Sequence, residues 1–279
     1  MFRTIFRIII LLGIISTFAR MIPIRSAHAE SEAPVRTYPA DPTADTAASP
    51  SQFTSVANVQ SAINAARAAE NSQLGTSIRM LEMPEQETWD EMSDSERGLW
   101  LVNRERTDRM GAATIGLLPL QDIETNVTNV ARNYANYLLT NNKWGHTVDG
   151  KDPWARMNSI SAINSCHDFL SVGENLYVSV STNNNRLTYQ VEMAIYLWMY
   201  ADSGSAWGHR HAILWYPYID NNGSAGKEGF MGIGVAKGGP YQGPFSSSWP
   251  YASIVVMNMF DQCATWRSPT AFIPLVIAP

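Results

Sequence analysis

The strongest constraint on how this chain can fold is a change in the period of its hydrophobic residues. Val127, Val130, Ala131, Tyr134, Ala135 and Leu138 recur at intervals of three and four, which lays apolar side chains along one face of an α-helix. A helix is therefore expected from about Glu124 to Asn141. Upstream, Ser93-Asp94-Ser95-Glu96 sets a hydroxyl and a carboxylate three residues apart, where each satisfies the other's unbonded backbone N–H at a helix start. That helix should run to about Met110, with Leu99, Val102 and Arg106 along one side and Gly111 as its stop. A third is expected from about Leu187 to Tyr200, with Val191, Ala194, Ile195 and Trp198 facing inward and Glu192 solvated. Beyond it the period shortens. Phe230 to Val235 and Ser253 to Phe260 are β-prone runs between Gly-, Pro- and Ser-rich loops. Several helices with a small antiparallel sheet make an α+β layered domain rather than an alternating βαβ protein.

The amino-terminal segment bears on location. Arg3 and Arg7 precede an apolar run from Ile8 to Phe18, and Ala27-His28-Ala29 supplies the small-x-small pattern of a signal peptidase site. Residues 1–29 are read as a signal peptide cleaved after Ala29, because the run is shorter than the roughly 20 residues that a bilayer-spanning helix needs. From Glu30 to about Gln52, Pro, Ala, Ser, Thr and Asp dominate, too little apolar surface to offset the entropy of ordering. Val56, Val59, Ile63 and Ala66 then recur at helical spacing. Residues 30–88 are accordingly expected to be a disordered linker with a short helix outside the main fold, residues 89–263 the main domain, and residues 264–279 a tail.

Removing the leader takes four arginines away, shifting the formal charge from −5 to −9, and no Lys/Arg cluster remains. Such a chain is a poor partner for nucleic acid, whose binding depends on concentrated positive charge. With 45% hydrophobic residues, including nine Trp, eleven Tyr and nine Phe, it can fill one core of ordinary size. No later stretch is long and apolar enough to span a membrane. Cys166 and Cys263 are the only cysteines, so an oxidising compartment admits either one disulfide or two unpaired thiols. A bridge would close a loop of about 100 residues, worth roughly 4 to 5 kcal/mol in the chain-entropy estimate.

Four histidines follow the leader: His146, His167, His209 and His211. His146 and His209 each follow a glycine, which lets the backbone turn sharply while the ring projects from a loop. Gly173-Glu174-Asn175-Leu176 puts a carboxylate in a similar setting. If His146, Glu174 and His209 converge, two imidazoles and a carboxylate suit a divalent ion, Zn²⁺ above all. No tight motif such as HExxH enforces this, and the same residues also read as a hydrogen-bonded structural set. His211 and His167 are read as structural or surface residues. Asn126-Val127-Thr128 and Asn222-Gly223-Ser224 fit the glycosylation pattern, although Asn126 stands at a helix start, where capping is the simpler role.

Taken in order, these pieces resemble the CAP superfamily of cysteine-rich secretory, antigen 5 and pathogenesis-related proteins, especially its bacterial branch. The likeness rests on Leu101-Val102-Asn103 with Arg106, Leu118-Pro119-Leu120, Gly145-His146, Asp149 to Pro153 with Arg156, Gly173-Glu174-Asn175-Leu176, Trp198-Met199, Gly208-His209-Arg210 with Ala212-Ile213-Leu214, Gly232-Ile233-Gly234-Val235 and a strand ending at Phe260. It implies a three-layer α-β-α sandwich over residues 89–263, with a cleft of two histidines and two acidic residues at which some members bind divalent metal. His146 and His209 take the histidine positions and Glu174 the first acidic one. Ala201 stands where many eukaryotic members carry the second, with Asp202 one step later, about 100° further round a helix.

Three functions follow. The first is a secreted, extracellular, periplasmic or cell-surface binding module, without enzymatic activity, whose cleft holds a metal and a lipid, glycan or protein partner. The second is a metal-dependent hydrolase in which Glu174 acts as general base beside a zinc ion on His146 and His209. The third is a structural network that fastens loops, leaving recognition to the Gly238–Pro250 segment.

Overall fold

The computed structural model describes residues 39–109, 117, 119–164, 172–214 and 228–260. The elements in chain order are α1 (Val56–Leu74), α2 (Gln86–Glu91), α3 (Asp94–Thr107), β1 (Leu120–Ile123), α4 (Thr125–Thr140), α5 (Pro153–Asn158), α6 (Ser161–Asn164), β2 (Val172–Ser181), α7 (Gln190–Tyr200), α8 (Gly208–Ile213), β3 (Glu228–Gly238) and β4 (Tyr251–Phe260). The fold is α+β, as expected. Ser93 and Glu96 form the anticipated reciprocal cap, and α3 ends at Thr107. Glu124 rather than Asn126 caps α4, its carboxylate accepting from the Val127 N–H and from the Asn126 side chain.

The sheet runs β1-β3-β4-β2. β2 and β3 are antiparallel to β4, but β1 lies parallel to β3, so the sheet is mixed rather than antiparallel. The chain makes a long excursion between β1 and β3, so no hairpin dictates their relative direction. Helices cover both faces, as the alternation along β4 shows. Ala252, Ile254 and Val256 pack with Ala131, Tyr134, Ala135 and Leu138 of α4, whereas Val255, Met257 and Met259 share a cluster with residues of α1, α3 and α7. The approach of α4 requires glycine. A Cβ on Gly232 would lie 2.2 Å from the Thr128 nitrogen, and one on Gly234 2.1 Å from the Arg132 nitrogen.

Two expectations are corrected. Residues 39–88 are not a linker with a peripheral helix. α1 has 19 residues, and its Val59, Ile63 and Ala66 belong to the same cluster as Leu101, Val102 and Val191. Arg67 and Glu70 are buried with them, Arg67 pairing with Glu105 of α3 and with Asp108 just beyond it, and Glu70 with Arg109 and with Arg210 of α8, so the helix carries its own reason to dock. Glu192 is not solvated either. Ten of the eleven residues of α7 are buried, so this helix has no water-facing side. Glu192 accepts a hydrogen bond from the Trp89 indole at 2.7 Å, with the Arg97 Nε 3.6 Å away.

No helix among the described residues is long and apolar enough to cross a membrane. The expected leader (1–29), the expected tail (264–279), Gly111, Cys166, His167, Asn222 and Cys263 lie outside the described residues, so the disulfide question does too.

Candidate functional site

The two Gly-His segments flank β2, the edge strand opposite β1. His146 stands in the loop after α4, where Gly145 adopts a φ of 133°. Its Nδ1 lies 2.9 Å from Glu174 Oε1, with the ring 44% exposed and the carboxylate fully buried. Arg156 of α5 holds that carboxylate, its Nη2 donating to Oε1 at 2.7 Å and to Oε2 at 2.8 Å. The same nitrogen donates to the His146 carbonyl, and Nη1 donates to Asp149 and to the Lys151 carbonyl. The guanidinium lies 3.5 Å over the Tyr134 ring. One arginine thus ties the loop from His146 to Lys151 onto Glu174.

The second pair is built on the turn after α7. His209 Nδ1 lies 2.7 Å from Asp202 Oδ1, the two side chains being 23% and 5% exposed. Asp202 Oδ2 also accepts from the backbone N–H groups of His209 and Arg210, and its carbonyl accepts from Trp207. The helical-wheel objection to Asp202 lapses because α7 stops at Tyr200, so the residue belongs to a turn. Ala206 and Trp207, at φ 50° and 61°, are consecutive non-glycine residues in the left-handed region. Each costs about 1 to 3 kcal/mol and persists only where its surroundings over-determine it.

β2 links the pairs. Successive strand residues point to opposite faces. Glu174 turns toward Arg156 and His146, while the buried Asn175 turns the other way and donates to the His209 carbonyl at 3.0 Å. Trp198 reinforces the second attachment, donating to the Leu176 carbonyl and stacking on the His209 ring with centroids 6.4 Å apart.

Of the three residues expected as ligands, His146 and Glu174 therefore meet, whereas His209 meets Asp202. Among the described residues, no group of three or more His, Cys, Asp or Glu side chains is assembled to hold a metal. No family model matches this chain, and no curated protein does. Among solved structures, it is similar to an outer surface protein from Borrelia burgdorferi, at 18% identity over 52% of this chain and 80% of that one. The TM-score is 0.31, too low for fold or function to be argued from the likeness.

The chemistry is then that of the residues themselves. In each pair the carboxylate accepts a hydrogen bond from Nδ1–H, the tautomer that leaves the lone pair on Nε2. A neutral imidazole presented this way suits a divalent ion. Glu174 is the orienting partner of His146, and with both oxygens engaged by Arg156 it is badly placed to abstract a proton. His211 Nε2 faces Asp41 at 2.9 Å, which ties it to the amino-terminal segment.

Behind α8 lies a buried ionic network that sequence patterning missed. Glu70 bridges Arg210 at 2.6 Å and Arg109 at 2.8 Å. Arg67 pairs with Glu105 at 2.9 Å and Asp108 at 2.7 Å, and the Tyr200 hydroxyl donates to Glu105. Burial alone would raise the Glu105 pKa, but the guanidinium groups of Arg67 and Arg109 prevail and hold it down at about 2. Glu70 is lowered for the same reason, by Arg109 and Arg210 against burial. Arg210 immediately follows His209, so this network backs the second pair.

Proposed function

We propose that the chain is a secreted CAP-like module, without enzymatic activity, that binds a divalent metal ion through Nε2 of His146 and His209 and meets a lipid, glycan or protein partner outside the cell. The supporting observation is that two imidazoles flanking one edge strand, His146 exposed and His209 half-buried, each meet a buried carboxylate at Nδ1, the arrangement in which ligand histidines are held. The motif order described above supports the CAP reading, and its α-β-α sandwich suits a sheet covered on both faces. Zn²⁺ suits imidazole ligands, and a bound ion would supply a Lewis acid at this surface. The engagement of Glu174 by Arg156 weighs against the hydrolase reading.

The test is the thermal and chemical stability of the mature chain, from Glu30 onward, with zinc and with EDTA. Beside it stand His146→Ala and His209→Ala. At a hundredfold excess over Kd, zinc should raise stability by about 2.7 kcal/mol. Each substitution should abolish most of that gain. An unchanged melting curve for the parent protein with zinc would refute metal binding. Zinc-dependent turnover of a peptide or ester would replace the module by the hydrolase.

A further inference from the structure

The turn that presents His209 is held from outside by a segment distant in the sequence. Residues 40–46 run alongside the end of α7 and the start of α8. The Thr46 N–H donates to the Tyr200 carbonyl at 2.7 Å. Asp45 accepts from the backbone N–H of Ser203 at 2.9 Å and from its hydroxyl at 2.8 Å. Asp41 faces His211, and the Ala40 carbonyl accepts from Arg210. The contacts fall on both sides of Asp202 and His209, and they bracket Ala206 and Trp207, whose left-handed backbone needs outside support.

We propose that this amino-terminal arm is a working part of the His209 site, and that Asp45 is a positioning residue. By binding both donors of Ser203, it fixes the turn in which Asp202 accepts a hydrogen bond from His209 Nδ1–H. The inference deepens the metal-site reading and rests on it for its ligand. Its structural content is that the state of the His209 ring depends on a carboxylate that touches neither His209 nor Asp202.

Asp45 is exposed, so its substitution leaves the core intact. Asp45→Ala and Asp45→Asn are made in the mature full chain. Ring ¹⁵N NMR on metal-free protein at pH 8 reads the tautomer of His209, and zinc titration reads affinity. Asp45→Ala should turn a single Nδ1–H tautomer into a mixture and weaken zinc binding by up to about 10-fold, the low end of what losing the direct partner of a ligand histidine costs, because Asp45 acts through Ser203. Asp45→Asn keeps an oxygen for the Ser203 N–H and should restore most of both. An Asp45→Ala protein with parental ring shifts would overturn the inference, as would an Asp45→Asn protein no better than the alanine variant. If the parent binds no zinc the metal reading falls, and the ring tautomer still decides the role of Asp45.

Discussion

Glu70 shows how much a single side chain can hold here. Its two oxygens face Arg210 and Arg109, and all three side chains are at most 3% exposed. Removing one partner of a buried pair leaves the others charged and dry, which costs far more than the net worth of the pair. Glu70→Ala is therefore expected to lower stability by about 3 to 5 kcal/mol in urea denaturation. A loss under about 1 kcal/mol would mean that water reaches both guanidinium groups. At this scale the sequence was partly legible. Gly145-His146, Gly173-Glu174 and Gly208-His209 stood out, and each lies at the candidate site. Glu70, Glu105, Arg109 and Glu192 gave no signal, because patterning assigns charge to the solvent and cannot see a counter-charge arriving from another helix. Asp202 was obscured by weighing it against Ala201 on a helical wheel, although both residues follow the expected end of the helix at Tyr200.

Among the elements, α1 departs furthest from expectation. The long apolar stripe of α4 and the capping box of α3 were legible because both signals are local. The docking of α1 was not, because it depends on the face that α3 and α7 present to it. Ala-rich composition and the Pro/Ser-rich stretch before it pointed to a detached helix. The structure instead inserts Val59, Ile63 and Ala66 into the main core and uses Arg67 to pair with Glu105 and Asp108 of the α3 segment. A chain beginning at Trp89 should consequently fail to fold cooperatively. A chain from residue 30 onward should give a sharp thermal transition by near-ultraviolet circular dichroism, and residues 89–263 alone should give none. A cooperative transition in the shorter chain would restore the original boundary.

For the molecule as a whole, the lowered carboxylates set the response to acid. Glu105 binds a proton near pH 4.5 when unfolded and near 2 when folded. Its contribution is thus fully present above about pH 4.5 and disappears as pH falls toward 2. Glu70 acts in the same direction. Glu192 acts oppositely: burial, only partly offset by Arg97, raises its pKa, so its contribution is full below its unfolded value and declines as pH rises. Glu192 contributes fully below pH 4.5 and so does not oppose the two lowered groups there, and stability should fall by several kcal/mol, each pKa unit counting about 1.4, between pH 4.5 and 2. Urea midpoints across that window, flattened in a Glu105→Gln variant, would check it. At this scale too, Glu174 and Asn175 carry a consequence of being neighbours on a pleated edge. If β2 slipped by one residue against β4, Glu174 would turn toward α8 and Asn175 toward α5. Both histidine anchors would vanish in one step, so the strand's register works as an index that admits the two imidazoles together or not at all.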